Sequence, residues 1–488
     1  MNLTTATSAA NSALATISAE SAVLSRNIAG INNGGSFSRK IANIATTLNG
    51  GVAVTSVVNA QNKALFESVL GATSSSATQD AISNGLTTLQ NTIGDTSSTT
   101  SPSAQVSALT EAIQQYEASP SDDSLAASVV TAAGSLASTL NNATATVQQL
   151  REQTDAQMAS SVSSINSLLS QFQTVNTQIV SGTAMGSDTT DLLDTRNSIL
   201  TQLSQQIGIS TTTGANNDMS VYTDSGVTLF QGGQARSVTF QPTATYMPTT
   251  TGNAVYVDGV AVTGSSATMP IQSGALAGLG NLRDTITVTY QAQLDQTAQG
   301  LISDFAEADP AGAGPTLAGL FTNAGSTAIP SSSSDTGLAG TISVNAAVDP
   351  SQSGTASLLR DGINYTFNTT NAASYSTRLQ QLLTNLSAFQ SFDPSGQVGT
   401  SNTIAGYAMA SASWLEAARQ NASSESTYQS TLLGNSTTAL SNVTGVNLDD
   451  EMSQMLDLEN SYAASSKLLT TINTMFADLT AAINPTVA

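Results

Sequence analysis

The residues able to do chemistry are few in this chain, and most of them read better as structure. Three adjacent carboxylates, Asp449-Asp450-Glu451, follow Asn447-Leu448. Such a run could hold a cation or divide into a general acid and a general base. Neighbouring helical residues point in different directions, which is poor geometry for chelation. The same run suits a helix start, with Asn447 as N-cap and the acids complementing the helix dipole. The densest basic spot, Arg39-Lys40, lies at the end of Asn27-Ile28-Ala29-Gly30-Ile31-Asn32-Asn33-Gly34-Gly35-Ser36-Phe37-Ser38. A phosphate-cradling loop needs a strand before it, and here a helix precedes, so the segment reads as a helix end and a turn. Asn-x-Ser/Thr triplets such as Asn421-Ala422-Ser423 arise by chance in a chain this rich in those residues. Trp414, the only tryptophan, shares a helical face with Ala410 and Ala418 and reads as a core residue.

Composition narrows the chemistry further. The 488 residues include no Cys and no His, which removes thiolate chemistry, disulfides, and the commonest general base and metal ligand. We expect no enzyme, no catalytic residue, no cofactor and no metal site. Lys plus Arg number 12 against 33 Asp plus Glu, a net charge of −21, which disfavours nucleic acid and an anionic membrane surface as partners. Charged residues are only 9% and aromatics 5%, so polarity rests on Ser, Thr, Asn and Gln and cores must be packed from small side chains. The surface reads as extracellular. Yet the N-terminus has neither a basic nor an apolar leader region, so no cleaved signal peptide is expected, and no apolar run is long enough for a membrane helix.

Periodicity supplies the elements that would carry these residues. Leu3, Ala6, Ala10, Ala13, Ile17 and Leu24 follow alternating spacings of three and four, with Glu20 interrupting the seam. Leu448, Met455, Tyr462, Leu469, Phe476 and Ile483 recur every seven residues, and Leu458, Ile472 and Leu479 follow three positions after members of that series. Two terminal helices with matching apolar stripes invite each other as partners. Met158, Val162, Ile165, Leu169, Phe172 and Ile179 define a long helix broken by Gly182 and Gly186; Leu193, Leu200, Leu203 and Ile207 define the next, as an antiparallel hairpin. From 209 the pattern turns to strands. Met219–Thr223 and Val227–Phe230 flank Asp224-Ser225-Gly226, and Asp258-Gly259 joins two β-rich runs as a hairpin turn. Helices return over 274–308, 373–392 and 402–440. The expected fold is mainly α with a β insert. Residues 1–45 with 441–488 form a terminal coiled-coil domain, 46–208 with 273–440 a long helical-bundle domain containing a loop-rich segment at 309–354, and 209–272 an outer β-rich domain.

These segments resemble the rod–hook–junction family of flagellar axial proteins. That family carries Asn-Ile-Ala-x-x-Asn after its first helix, matched by Asn27, Ile28, Ala29 and Asn32, and then Gly-Tyr-Ser/Thr-Arg, matched by Gly35, Phe37, Ser38 and Arg39, with Phe for Tyr and Ser36 inserted. Its C-terminal run is matched by Gly445-Val446-Asn447-Leu448-Asp449-Asp450-Glu451 and then Tyr462-Ala463-Ala464. Asp191-Leu192-Leu193-Asp194-Thr195-Arg196-Asn197 looks like an element of the junction branch; Val227, Leu229 and Gly232 and the stretch from Ser273 to Asp284 look like the segments after it. The resemblance implies a structural component of the bacterial flagellum at the hook–filament junction, polymerising helically through its terminal helices. It implies assembly with copies of itself, hook protein and a second junction protein (hook-associated protein 3). It also implies an export chaperone on the C-terminal helix, and an extracellular location reached through the flagellar type III apparatus. Another axial protein (hook protein or flagellin) and a secreted adhesin or binding module are the alternatives.

Overall fold

The computed structural model describes residues 3–31, 37–47, 51–94, 98–330 and 336–483. The chain opens with α1 (Leu3–Gly30), a hairpin of β1 (Lys40–Thr46) and β2 (Val52–Asn59), and α2 (Lys63–Ile93). Ser101 then accepts the Ala104 N–H and Pro102 occupies the first turn, starting α3 (Pro102–Ala118). Asp122 accepts the Ser124 N–H at the head of α4 (Asp123–Ala184), a helix of 62 residues. The helix passes through Gly182 rather than breaking there. It closes at Gly186, whose φ of 72° lets the Ser187 N–H return to the Gly182 carbonyl at 2.9 Å. α5 (Thr190–Gln206) follows, then short strands β3 (Ile209–Thr213), β4 (Met219–Thr223), β5 (Thr228–Gln231), β6 (Gln234–Ala235), β7 (Val238–Thr239), β8 (Tyr256–Val257) and β9 (Val260–Ala261). Asp258 and Gly259 carry the positive φ values that a two-residue hairpin turn requires, and Val257 pairs with Val260 across it.

Helix resumes as α6 (Ala275–Asn281), widens to a π turn at Leu282–Ile286, and continues as α7 (Thr287–Asp304). The stretch after it holds β10 (Phe321–Asn323) paired with β11 (Ile342–Val344), then α8 (Leu358–Asp361), α9 (Thr377–Ser387), and β12 (Gln390–Ser391) paired with β13 (Ser401–Asn402). Two long helices close the chain, α10 (Ile404–Thr444) and α11 (Leu448–Ile483). The expected class, mainly α with a β insert, is the one observed. The β1–β2 hairpin is absent from the sequence reading, which divided residues 40–59 between helical domains. Its strands hold Ile41, Ile44, Val52, Val54, Val57 and Val58, a β-branched composition that is itself a strand signal.

The chain forms two compact units. One comprises residues 1–76, 163–238 and 428–488. Within it α1 packs against α11 and the hairpin, and β3–β6 form an antiparallel meander. Alternation along β4 turns Met219, Val221 and Thr223 inward, and Phe230 of β5 sets its ring edge-on to Phe172 of α4 at 4.9 Å. The other unit comprises 77–162 and 239–427. Its core joins Leu86, Leu109, Ile113, Leu136, Leu140, Leu294, Leu301 and Tyr407, with Phe305 edge-on to Phe321, and the half-buried Trp414 packs on this core. The π turn in this unit swings Arg283 fully inside, where its guanidinium meets Asp155 at 2.5 Å and Asp284 at 2.7 Å.

Candidate functional site

The first unit draws four distant stretches of sequence onto one buried polar cluster. Asn27, three residues from the end of α1, is fully buried. Its amide acts as a backbone surrogate: Oδ1 accepts the Lys40 N–H at 2.8 Å, and Nδ2 donates to the Lys40 carbonyl at 2.9 Å. The same Nδ2 donates to Glu451 Oε2 at 2.9 Å, spanning most of the chain. Glu451, one turn into α11, is fully buried and takes Arg39 Nε at 2.5 Å on its other oxygen. The Arg39 N–H donates to the Thr444 carbonyl at the end of α10 at 2.8 Å. One asparagine and one carboxylate thus fasten the end of α1 and the start of β1 to the joint between α10 and α11.

Asp194 of α5 is the second node. Lys40, whose side chain is fully buried, donates its Nζ to Asp194 Oδ2; Asn59 Nδ2 donates to Oδ1 at 2.9 Å and the Ser38 N–H to the same oxygen at 3.3 Å. Burial pushes the Asp194 carboxyl up from its ordinary value, and the Lys40 contact only partly offsets that. Lys40 and Asn59 face each other across the β1–β2 ladder, so the hairpin delivers both donors to one acid. Phe37 covers the site: its ring lies 4.3 Å from the Lys40 ammonium, and a methyl group on Gly30 would come within 2.5 Å of the ring. At the rim, Arg26 bridges Asp188 at 2.7 Å and Asp191 at 2.8 Å. Burial works to raise the Asp188 carboxyl, but hydrogen bonds from Thr190 and Arg26 hold it below the usual range.

The sequence-predicted residues fall out unevenly. Of the motif residues, Asn27, Ser38 and Arg39 enter the cluster directly. Ile28 is half-buried and Ala29 exposed; Gly445 and Val446 are half-buried at the α10–α11 joint. Asn447 caps α11, its Oδ1 accepting the Asp449 N–H at 3.0 Å. Asn32 lies outside the described residues, as do Gly35 and Ser36. On α1, Ala10, Ile17 and Leu24 are buried and Leu3, Ala6 and Ala13 half-buried. On α11, Ile472 is buried and Met455, Leu458, Leu469 and Phe476 are half-buried, whereas Leu448, Tyr462 and Leu479 are 44–51% exposed. The side chain of Ile483 lies outside the described residues. Lys40, Asp194 and Glu451 lie in segments noted in the sequence but were given no part in a buried cluster, and Asn59 was not singled out at all. The available signal was charge scarcity: with so few cations among so many acids, an Arg-Lys pair must have acidic partners somewhere.

Chemically the cluster is a clasp. Its cations and acids are spent on one another, and among the described residues no group of three or more Asp or Glu is placed to hold a metal ion. No described helix is long and apolar enough to cross a membrane.

Known proteins share parts of this sequence. Residues 86–327 match the model of the flagellar hook-associated protein FlgK helical domain, and 440–482 that of the flagellar basal body rod FlgEFG protein C-terminal region. The chain is 28% identical over 232 residues to flagellar hook-associated protein 1 of Salmonella typhimurium, covering 45% of this chain and 39% of that protein. It is 28% identical over 168 residues to the Escherichia coli protein of the same name, covering 33% and 29%. The matched stretch thus spans well under half the length of these curated relatives. The flagellar hook junction protein FlgK from Burkholderia pseudomallei is 22% identical with a TM-score of 0.42, covering 52% of this chain and 46% of that one.

Proposed function

We propose that this chain, a member of the flagellar axial family resembling hook-associated protein 1, is a structural subunit of the hook–filament junction that builds a helical layer through its terminal helices. The observation that carries the reading is the clasp: the N-terminal motif, the start of α11 and the Asp191–Asn197 element close on one another through Asn27, Glu451, Lys40 and Asp194. A polymerising domain made of the two chain ends needs such a lock, because neither end helix carries enough apolar surface to hold itself. The pairing of α1 with α11 also leaves Leu448, Leu456, Tyr462, Leu468, Met475 and Leu479 of α11 44–57% exposed. An apolar surface of that size on a paired helix suits a heterologous contact between copies, and a non-closing contact of that kind generates helical order.

In this reading residues 1–45 and 441–488 are the inner polymerising domain, 46–208 with 273–440 the surrounding helical domain, and 209–272 the outer insert. Stripe residues from Leu3 to Leu24 and from Leu448 to Ile483 are the assembly interface. The protein acts by geometry and not by catalysis. Its partners are copies of itself, hook protein, the second junction protein, and a chaperone that shields α11 until the subunit leaves through the flagellar type III apparatus to assemble outside the cell. Full-length protein and a version lacking residues 1–30 and 448–488, each incubated with isolated hooks and imaged by electron microscopy, test this. The full chain should add a layer at the hook tip and the shortened one should not. Failure of the full chain to bind hooks would overturn the junction assignment.

A further inference from the structure

Arg196 stands apart from the other buried cations. It is 4% exposed and, like Arg151, has no ion-pair partner among the described residues, but where Arg151 donates from Nε, Nη1 and Nη2 to four neutral oxygens, Arg196 donates from Nη1 alone. One corner of the guanidinium is pinned: Nη1 donates to the Asn217 carbonyl at 2.6 Å and to Asn176 Oδ1 at 3.3 Å. Nε is buried with no hydrogen-bond partner, and Nη2 makes none either. Asp218, the nearest source of negative charge, is engaged instead by Asn176 Nδ2 at 2.7 Å. Nε and Nη2 form the side-on edge of the guanidinium, whose two parallel N–H groups match the two oxygens of a carboxylate. Arg196 lines a cavity of about 520 Å³ with a mixed wall, in which Phe66, Val69, Met219, Leu433 and Leu440 form an apolar patch among Ser, Thr, Asn and Gln side chains. Glu67 on the same wall is occupied by Lys63 at 3.6 Å.

We infer that this cavity is a binding site for a carboxylate on an apolar stem, received by the unpartnered edge of Arg196, and that the occupant is an acidic side chain of a second copy of this chain. The buried guanidinium balances one negative charge; a phosphate dianion would bring a second, and Lys63, the other cation lining the cavity, is already paired with Glu67. The source follows from composition, since a chain with 33 acids and 12 bases presents carboxylates on nearly every surface that packs against a neighbour. That part rests on the self-assembly reading above, whereas the chemistry of the site does not.

The probe is isovalerate, with neutral isovaleramide as control, titrated into the full-length protein and followed by saturation-transfer NMR on the ligand methyl groups. Isovalerate should bind saturably and the amide should not. Arg196→Gln and Arg196→Lys, the second keeping charge but losing the fork, should each weaken binding about tenfold or more. Leu433→Trp, which fills the cavity and leaves Arg196 in place, should abolish it even if the Arg196 variants fold poorly. Equal binding of the amide, or binding indifferent to Leu433→Trp, overturns the site. Excess isovalerate should then slow self-assembly measured by sedimentation. Binding without an effect on assembly overturns the second copy as occupant. A wild-type chain that does not assemble at all refutes the junction reading and leaves the titration to decide the site alone.

Discussion

Asn27 is the position where the clasp can be tested most sharply. Replacing it with Ala removes the two bonds to the Lys40 backbone and the one to Glu451, each in a buried setting. At about 0.5–1.5 kcal/mol for each neutral bond and about 1.5–3 for the one to a carboxylate, the loss is roughly 2.5–6 kcal/mol. Asn27→Leu separates the clasp from simple packing. Leucine keeps the same branched skeleton of side-chain heavy atoms, is somewhat bulkier and is more hydrophobic, so a residue that only fills space would lose little or gain from it. A residue that satisfies three buried partners would lose as much as with Ala, because those partners stay stranded. The chain folds as two units, so a single global melting curve would mix their transitions. Hydrogen exchange resolved to peptides covering Lys40 and the first turns of α11 isolates the effect. Both variants should raise exchange there by two orders of magnitude or more, with peptides of the second unit unchanged. An Asn27→Leu protein whose Lys40 amide exchanges at the wild-type rate would refute the argument.

Two other groups give independent predictions. Asp304 ends α7, where burial pushes its carboxyl up to about 7, opposed by the hydrogen bond from Gln390 Nε2 at 3.1 Å. A raised acid pKa means the folded state holds the proton more tightly, so this contribution is complete below the ordinary value near 3.8 and is lost as pH rises to about 7. Relative to wild type, Asp304→Asn should therefore leave hydrogen exchange in α7 unchanged at pH 4 and slow it at pH 8, by the equivalent of a few kcal/mol; a difference independent of pH would sink the assignment. Glu20 interrupts the α1 seam and its carboxyl is raised by burial. Glu20→Leu should slow exchange in both α1 and α11, and an effect confined to α1 would show that Glu20 does not face the partner helix.

How much of this was legible in the sequence depends on the range of each interaction. The terminal helices, the Asp258-Gly259 turn and the Asn447 cap are local: a period of seven, a pair of turn residues and a capping side chain each act within a few residues. Trp414 was likewise readable from its helical face. The clasp is not local. Asn27 meets Glu451 and Lys40 meets Asp194 across separations that no periodicity encodes. The Asp449-Asp450-Glu451 run shows the boundary between the two cases. Reading it as a helix start is right for the exposed Asp449 and Asp450, and incomplete for Glu451, which lies one turn in and faces the interior. Dipole chemistry accounts for all three acids equally, so it cannot single out the one that is buried.

Charge asymmetry carries that missing information. In an acidic chain an exposed carboxylate is the default and says little, whereas each cation is rare and must be placed. Lys40, Arg151, Arg196, Arg283, Arg360 and Arg378 are all buried, and Arg26 and Arg39 tie their neighbours from half-buried positions. Burying a guanidinium costs several kcal/mol unless partners surround it, so each buried cation marks a site where the fold has gathered acceptors from distant segments. Lys40 gathers α5 and the hairpin, Arg39 gathers α11, and Arg283 gathers α4 in the second unit. Arg151 and Arg196 have only neutral acceptors, and of the two Arg196 alone leaves its bidentate edge without a partner. Arg151 shows that neutral oxygens can satisfy a buried guanidinium when they reach Nε and both Nη atoms. At Arg196 no described residue reaches Nε or Nη2, and that edge is the one the proposed carboxylate would meet.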